Sequence, residues 1–202
     1  MATPVGHILA GQVAYRAGSE TTRTWGRGLA LLCALAAVAP DFDFLPGLLV
    51  GTPALYHQGV SHSFAVGAAF TLVLAMLYRR GFRGVGAPWG ILSLAYASHL
   101  VLDLFGPDHR PPFGIPLFWP FSHATFLSPV TILPGVHHVA TTGAPTGVWV
   151  SSTLRMSNVM AVGLEILIVA PFTIAAEVWA RRRHANRAAG ASAASPARGP
   201  RG

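Results

Sequence analysis

Charged residues are scarce in this sequence. They make up 10% of its 202 residues, whereas 52% are hydrophobic and the mean hydropathy is +0.49. An ordinary soluble domain carries about 25% charged residues, so the composition argues against that class and is typical of a membrane protein. Acidic residues are the rarest charges, with seven against fourteen basic residues and a net charge of +7.

Cysteine is nearly absent as well. The single cysteine, Cys33, lies inside an apolar run, where a small buried hydrophobe is the expected role. One cysteine excludes a disulfide framework within the chain. The sequence also lacks a GxSxG motif, a Gly-rich phosphate loop and zinc-finger spacing, so neither serine nor cysteine nucleophilic catalysis is indicated.

Apolar patterning predicts five helical segments, roughly at 4–17, 27–39, 61–79, 88–105 and 157–180. A bilayer core needs about 20 apolar residues; the third and fifth segments reach this length, the fourth nearly does, and the first two are short. The prolines of the connection 106–156 exclude a continuous helix there. We therefore predict an all-α integral membrane bundle of four to five helices with a long Pro/Gly-rich loop.

One stretch near the N-terminus resembles a signal peptide, and the C-terminal stretch has a biased composition. The stretch 27–40 imitates a signal peptide, but cleavage there would remove His7, so we expect it to be retained. From His184 onward the sequence is rich in Ala, Gly, Ser, Pro and Arg, a composition typical of disorder. We expect a helical domain at 1–183 and a disordered basic tail at 184–202.

Arginine placement indicates the orientation in the membrane, because basic residues collect in cytoplasmic loops. Arginines lie between the first and second segments, between the third and fourth, and after the fifth: Arg23, Arg27, Arg79, Arg80, Arg83 and Arg181 to Arg183. These clusters agree on an alternating, multi-pass topology with a cytoplasmic C-terminus. Basic groups flanking apolar runs also point to the lipid bilayer as the partner, and we expect no nucleic-acid partner.

The polar residues in and beside the apolar segments are mostly metal-ligand types. Ionisable groups at membrane depth are costly and mark functional sites. Imidazole with carboxylate suits zinc and similar divalent ions. His99 and Asp103 are four residues apart, so they share one face of a helix. The predicted ligands, which the topology gathers on the outer side, are His7, Asp41, Asp43, His57, His62, His99 and Asp103.

A hydrogen-bonded polar core without metal is the alternative for these residues. Glu165, in the middle of the fifth segment, either completes the site or is a buried protonated carboxyl.

The stretch GIPLFWPFSH follows the helix of Asp103, and we expect it to close over the metal site. Its prolines make it stiff, and Phe118, Trp119 and Phe121 supply apolar area at the level of the lipid headgroups. Anchoring of the loop to the bilayer is the alternative role. His123 follows at once and can act as a ligand or an acid/base group. The candidate catalytic residues are His123 and Asp43.

The order of five motifs is distinctive: HILAG, PDFDFLPG, HQGVSHSF, SHLVLDLFG and GIPLFWPFS. Over roughly residues 5–125 it resembles the YdjM-like family of inner-membrane-associated, predicted metal-dependent hydrolases. The resemblance implies a location in the inner membrane and a hydrolytic activity.

The same order is similar to that of the zinc ligands in zinc-dependent phospholipases C and related single-strand nucleases. That similarity implies zinc ligands at His7, Asp41 or Asp43, His57 or His62, His99, Asp103 and His123. No HxxxE pair follows His123, so one or two ions are expected rather than a cluster of three.

We therefore predict a membrane-bound hydrolase that uses a divalent metal, zinc by its ligand set, and acts on a phosphoester or lipid-linked bond. The alternatives are a non-catalytic membrane transporter of metal or protons, a stress-response scaffold, and a bis-histidine haem protein that uses His62 and His99.

Overall fold

The computed structural model describes residues 1–18, 26–81, 89–108, 111–137 and 143–194. The described chain is helical, which confirms the predicted all-α class, and one isolated antiparallel bridge joins Ile115 to Phe126. The α-helices are α1 (Pro4–Gly18), α2 (Gly26–Val38), α3 (Phe44–Leu49), α4 (Phe64–Gly81), α5 (Trp89–Leu104), α6 (Thr146–Thr153) and α7 (Met156–Ala194). Three 3-10 turns cover Ala39–Asp43, Pro53–Leu55 and Val60–His62.

Helix α1 lies among α2, α5 and α7, and α5 also packs against α2 and α4. Small residues allow the close approach of α1 to α2: a Cβ added at Gly11 would lie 2.7 Å from Ala37 Cβ and 2.8 Å from the Cys33 carbonyl oxygen. Because Ala37 is the next-to-last residue of α2, this contact fixes the chain that leads into the Ala39–Asp43 turn.

Within the described residues, two stretches are long and apolar enough to cross a membrane, Arg27–Leu49 and Met156–Arg187. The first joins α2, the 3-10 turn and α3, so the second predicted segment is longer than expected. Pro40 is tolerated there because it stands in the first turn of the 3-10 helix, where its missing N–H is not needed. Helix α4, which was expected to span, ends in two arginines and is not among these stretches; α5 is a shorter apolar helix.

Helix α7 continues to Ala194, although a disordered tail is predicted from His184. Alanine dominates this stretch and is the strongest helix former, so the helix propagates beyond the apolar segment. Residues 195–202 of the predicted tail lie outside the described residues, as do Arg23, Arg83, His109 and His138.

The connection between α5 and α7 packs against α5. Ile115 and Leu117 are buried in a cluster with Tyr96 and Leu100 of α5. Ile115 and Phe126 exchange two backbone hydrogen bonds of 3.0 Å. The connection also contains α6, a short helix that the sequence does not predict.

Helices α1 and α7 run in the same direction. Thr3 bonds to Glu165 near their beginnings, and Arg16 pairs with Glu177 further along, at 2.8 Å between Nε and Oε2. We call the end at Thr3 and Glu165 the upper end, and the end at Arg16 and Glu177 the lower end. Asp103, which accepts a hydrogen bond from the Ala2 N–H, therefore lies at the upper end.

Candidate metal centre

Four separate segments bring metal-ligand side chains together at the upper end. Helix α1 contributes the histidine that begins the HILAG motif, and the 3-10 turn after α2 contributes two carboxylates. The turn before α4 contributes an imidazole, and α5 contributes its i, i+4 pair. These side chains are those of His7, Asp41, Asp43, His62, His99 and Asp103. All but the two aspartates of the turn are buried, and the Asp41 side chain keeps 15% of its surface exposed.

The central group consists of Asp41, His62, His99 and Asp103, whose ligand atoms all lie within 4.8 Å of one another. His62 Nε2 and His99 Nε2 are 3.2 Å apart. Asp103 Oδ2 lies 3.4 Å from the first and 3.1 Å from the second, and Asp41 Oδ1 lies at 3.8 and 3.6 Å. Ligands at about 2.0–2.1 Å from a tetrahedral zinc ion stand about 3.3 Å from each other. The spacing fits such an ion.

Two atoms of this group lack hydrogen-bond partners. Asp41 Oδ1 and Asp103 Oδ2 are buried and make no hydrogen bond of acceptable geometry within the described chain. His99 donates from Nδ1 to the Ala37 carbonyl at 2.7 Å, which turns the lone pair of its Nε2 towards His62 Nε2. A cation between the four ligand atoms satisfies both carboxylate oxygens and separates the two ring nitrogens.

A haem does not fit this arrangement. The ring nitrogens of His62 and His99 are too close, at 3.2 Å, to admit the plane of a macrocycle between them. The two aspartates also occupy the space around the same nitrogens. The bis-histidine haem alternative is therefore wrong for this pair.

Asp43 forms a second group on the other side of the His62 ring. Its Oδ1 accepts from His57 Nδ1 at 2.8 Å, and its Oδ2 accepts from Ser61 Oγ at 2.8 Å and lies 3.3 Å from His62 Nδ1. Asp43, His57 and His62 are also close enough to hold an ion. A carboxylate on the far nitrogen of a ligating imidazole fixes the tautomer that points its lone pair at the metal.

The two imidazoles beside Asp43 differ in charge preference. Burial disfavours the charged ring and lowers the pKa of His57, although Asp43 partly opposes this. Burial acts on His62 too, but the nearby carboxylates of Asp103, Asp41 and Asp43 outweigh it and raise the pKa of His62 well above its usual value. The negative charge of Asp41 and Asp103 beside Nε2, with Asp43 at Nδ1, favours a positive charge at this ring, and a metal ion bound at Nε2 would supply one.

His7 lies on the opposite side of the two inner carboxylates. Its ring stacks on that of His99, with centroids 3.6 Å apart. His7 Nε2 is 3.5 Å from Asp103 Oδ1 and 4.0 Å from Asp41 Oδ2, the oxygens that face away from His62. Asp41 and Asp103 thus present one oxygen to the His62 side and the other to the His7 side.

A cavity of about 830 Å³ borders the Asp43 group. The Pro-rich connection forms one wall, with Trp119 and His123, and the other wall carries Asp43, His57 and Ser61. Phe121 does not line it, and 92% of its side chain is exposed. The predicted loop therefore does reach the neighbourhood of the ligands, with its tryptophan inward and a phenylalanine outward.

The remaining predicted residues fall into different places. His123 is exposed on the cavity wall and belongs to neither group. Ser61 was not predicted, although its position next to His62 was a signal, and neither was Tyr96, whose hydroxyl donates to the Ser61 carbonyl. Tyr96 stands one turn before His99 on α5, so the same helix face carries both.

Comparison with known proteins gives one match. The model of a family described as YdjM inner membrane protein matches residues 1–184. No curated protein and no solved structure matches the chain.

We expect His99→Ala and Asp103→Ala each to lower the bound metal of detergent-purified protein well below one equivalent per site, because each removes a vertex of the central group. His184→Ala, at the lower end of α7, is the matched control and should retain the wild-type content. Metal analysis after gel filtration measures this. Wild-type metal content in both ligand variants contradicts the assignment.

Proposed function

The chain belongs to the YdjM inner membrane protein family, and on that premise we propose that it is a membrane-bound, metal-dependent hydrolase. The observation that carries the proposal is the buried central group of two imidazoles and two carboxylates with tetrahedral spacing. The Asp43 group, which shares His62 with it, borders a cavity. Buried carboxylates without hydrogen-bond partners are expensive unless they bind a cation.

Asp41, His62, His99 and Asp103 would hold the first ion. Mixed imidazole and carboxylate donors favour zinc among the common divalent metals. His7, whose Nε2 lies within 4.0 Å of a carboxylate oxygen of both Asp41 and Asp103, would hold a second ion together with them. One or two ions are therefore consistent with the donor set.

A divalent ion supplies a water ligand of lowered pKa and a positive charge for the attacked group. The protein's own residues provide orientation and proton handling. Asp43 holds the His62 ring through Nδ1, and Ser61 and His57 hold Asp43 in turn. His123, on the opposite wall of the cavity, is placed to deliver a proton to the leaving oxygen.

The walls of the cavity support an amphiphilic substrate. Trp119, Tyr56, Leu55 and several prolines give it a largely apolar lining, while Asp43, His57 and Ser61 are polar groups on the metal side. A phosphoester attached to a lipid would place its charged group near the ligands and its chain against the aromatic wall. The bonds we propose as targets are therefore phosphoester or similar lipid-linked bonds.

The position of the ligands favours hydrolysis over transport. Asp103 lies in the last turn of α5 and His7 near the start of α1, and the Asp43 group at the same end borders a cavity walled by a loop. Transporter sites usually lie near the bilayer midplane, between the halves of broken helices.

We also propose that the centre faces the outer side of the inner membrane and that the C-terminus is cytoplasmic. Arg16 and Arg181 both pair with Glu177 at the lower end, away from the ligands. Arg79 and Arg80 end α4, the helix that starts beside His62. Since basic residues stay on the cytoplasmic side, the upper end faces outward.

A topology reporter tests this orientation. A reporter placed after Arg83 should read cytoplasmic, and one inserted at Gly143, which is exposed on the long connection, should read external. These results are expected because the arginines lie at the lower end of the helices and the metal ligands at the upper end. The reverse pattern would put the centre in the cytoplasm and contradict the proposed substrate pool.

Substitution of Trp119 tests the role of the loop in hydrolysis. We expect Trp119→Ala to impair turnover of a long-chain phosphoester by tenfold or more, while a short soluble phosphoester is hydrolysed at nearly the wild-type rate, because Trp119 contacts the apolar part of the substrate (on the order of 1.4 kcal/mol for each factor of ten). Rates with both substrates in zinc-loaded protein, together with metal content, measure this.

Phe121→Ala is the matched control, since Phe121 is on the same loop but points away from the cavity. A loop that only anchors the protein to the bilayer should make both variants lose activity on both substrates alike. That outcome contradicts the proposal that the loop closes over the metal site and contacts the substrate. If the zinc-loaded wild type hydrolyses neither substrate, the proposed phosphoesterase activity is contradicted.

A further inference from the structure

Glu165 is a carboxylate without a role in the centre described above. It stands inside the apolar stretch Met156–Arg187 and is completely buried. A carboxyl group at such a position is costly and is retained where it makes a specific interaction. Its Oε1 has no hydrogen-bond partner in the described part of the chain, whereas its Oε2 has two.

Both partners of Glu165 Oε2 belong to Thr3. The Thr3 N–H donates at 2.7 Å and the Thr3 hydroxyl at 2.6 Å. Thr3 is the residue before α1, and its hydroxyl oxygen accepts from the Gly6 N–H at 3.2 Å, which is the bonding of a helix N-cap. The Thr3 carbonyl accepts from the His7 N–H at 3.1 Å. One carboxylate of α7 thus fixes the first turn of α1, which carries His7.

The neighbouring amide ties the same segment to the central group. The Ala2 N–H donates to Asp103 Oδ1 at 3.0 Å, the oxygen that lies 3.5 Å from His7 Nε2. Asp103 and Glu165 therefore hold two successive amides. Displacement of this segment would move His7 and remove a hydrogen bond from Asp103 at the same time.

The contact between α1 and α7 leaves room for the Glu165 carboxyl group at Gly6. A Cβ added at Gly6 would lie 2.5 Å from Glu165 Oε2 and 3.4 Å from its carboxyl carbon. The absence of a side chain at Gly6 is what lets the carboxyl group lie against α1. The end of the side chain is enclosed on this side by the helix that it positions.

We propose that Glu165 is a positioning residue for the metal centre: by clamping Thr3, it sets the place of His7 relative to Asp41 and Asp103. The inference rests on the proposed function in so far as His7 is a metal ligand. Helix α7 would then support the metal centre as well as cross the membrane, although it contributes no side chain to either ligand group.

Cobalt(II) binding to the full-length protein in detergent tests this without any substrate. Glu165→Ala should weaken Co²⁺ binding about tenfold to a hundredfold, the range that loss of an outer-shell partner produces. It should also change the visible absorption of the bound Co²⁺ in the same direction as His7→Ala does. Glu165→Gln keeps an oxygen for both Thr3 donors and should bind Co²⁺ nearly as the wild type does.

Glu177→Ala is the matched control. Glu177 also links α7 to α1, through Arg16, but at the lower end. A general weakening of helix packing would make both alanine variants lose affinity. Co²⁺ affinity that stays at the wild-type level in Glu177→Ala and falls in Glu165→Ala supports a specific effect on the centre.

A double variant separates positioning from mere stability. If Glu165 acts through His7, the affinity of His7→Ala/Glu165→Ala should lie within about twofold of that of His7→Ala alone, as coupled residues are not additive. Independent, additive losses overturn the inference, and so does wild-type affinity in Glu165→Ala. A wild-type protein that binds no Co²⁺ overturns the metal centre itself, and the inference with it.

Discussion

Two imidazole nitrogens meet at 3.2 Å inside this protein, with a buried carboxylate oxygen of Asp103 within 3.4 Å of both. Such atoms cannot be left facing each other in an apolar helical protein without a positive charge among them. The surrounding carboxylates raise the pKa of His62 well above its usual value, and a divalent ion between the same atoms would also supply positive charge. The remaining features of the upper end follow from this requirement.

The helices meet the requirement by presenting ligands where they begin or end. The 3-10 turn after Pro40 and the turn before α4 bend the backbone so that Asp41 and His62 turn inward. A second layer of contacts then sets each ring: the Ala37 carbonyl orients His99, and Asp43 orients His62. Close packing of α1 on α2 at Gly11 holds the chain that supplies Ala37. The rigidity of the site therefore depends on the packing between the helices that supply its ligands.

The sequence predicts those parts of the structure that depend on local pattern. The i, i+4 pair His99 and Asp103 shares a helix face whatever else the chain does, and the pair does lie in the central group. The five apolar segments correspond to α1, α2, α4, α5 and α7. Periodicity and spacing are properties of neighbouring residues, so these features can be derived without tertiary information.

Other parts depend on how distant turns meet, and the sequence does not contain that directly. Spacing does not distinguish the inner Asp41 from Asp43, which turns to His57 and Ser61 instead. The contact between Glu165 and Thr3 joins residues 162 positions apart. Continuation of α2 through the 3-10 turn depended on backbone geometry at Pro40, and a proline in an apolar segment is more often a helix end.

X-ray absorption at the zinc edge of detergent-purified protein examines the bound ion and its ligands together. We expect zinc with nitrogen and oxygen neighbours at about 2.0–2.1 Å, multiple scattering from at least two imidazole rings, and no sulfur neighbour. A protein that contains no metal after reconstitution with zinc, or zinc without imidazole scattering, would contradict the centre formed by Asp41, His62, His99 and Asp103.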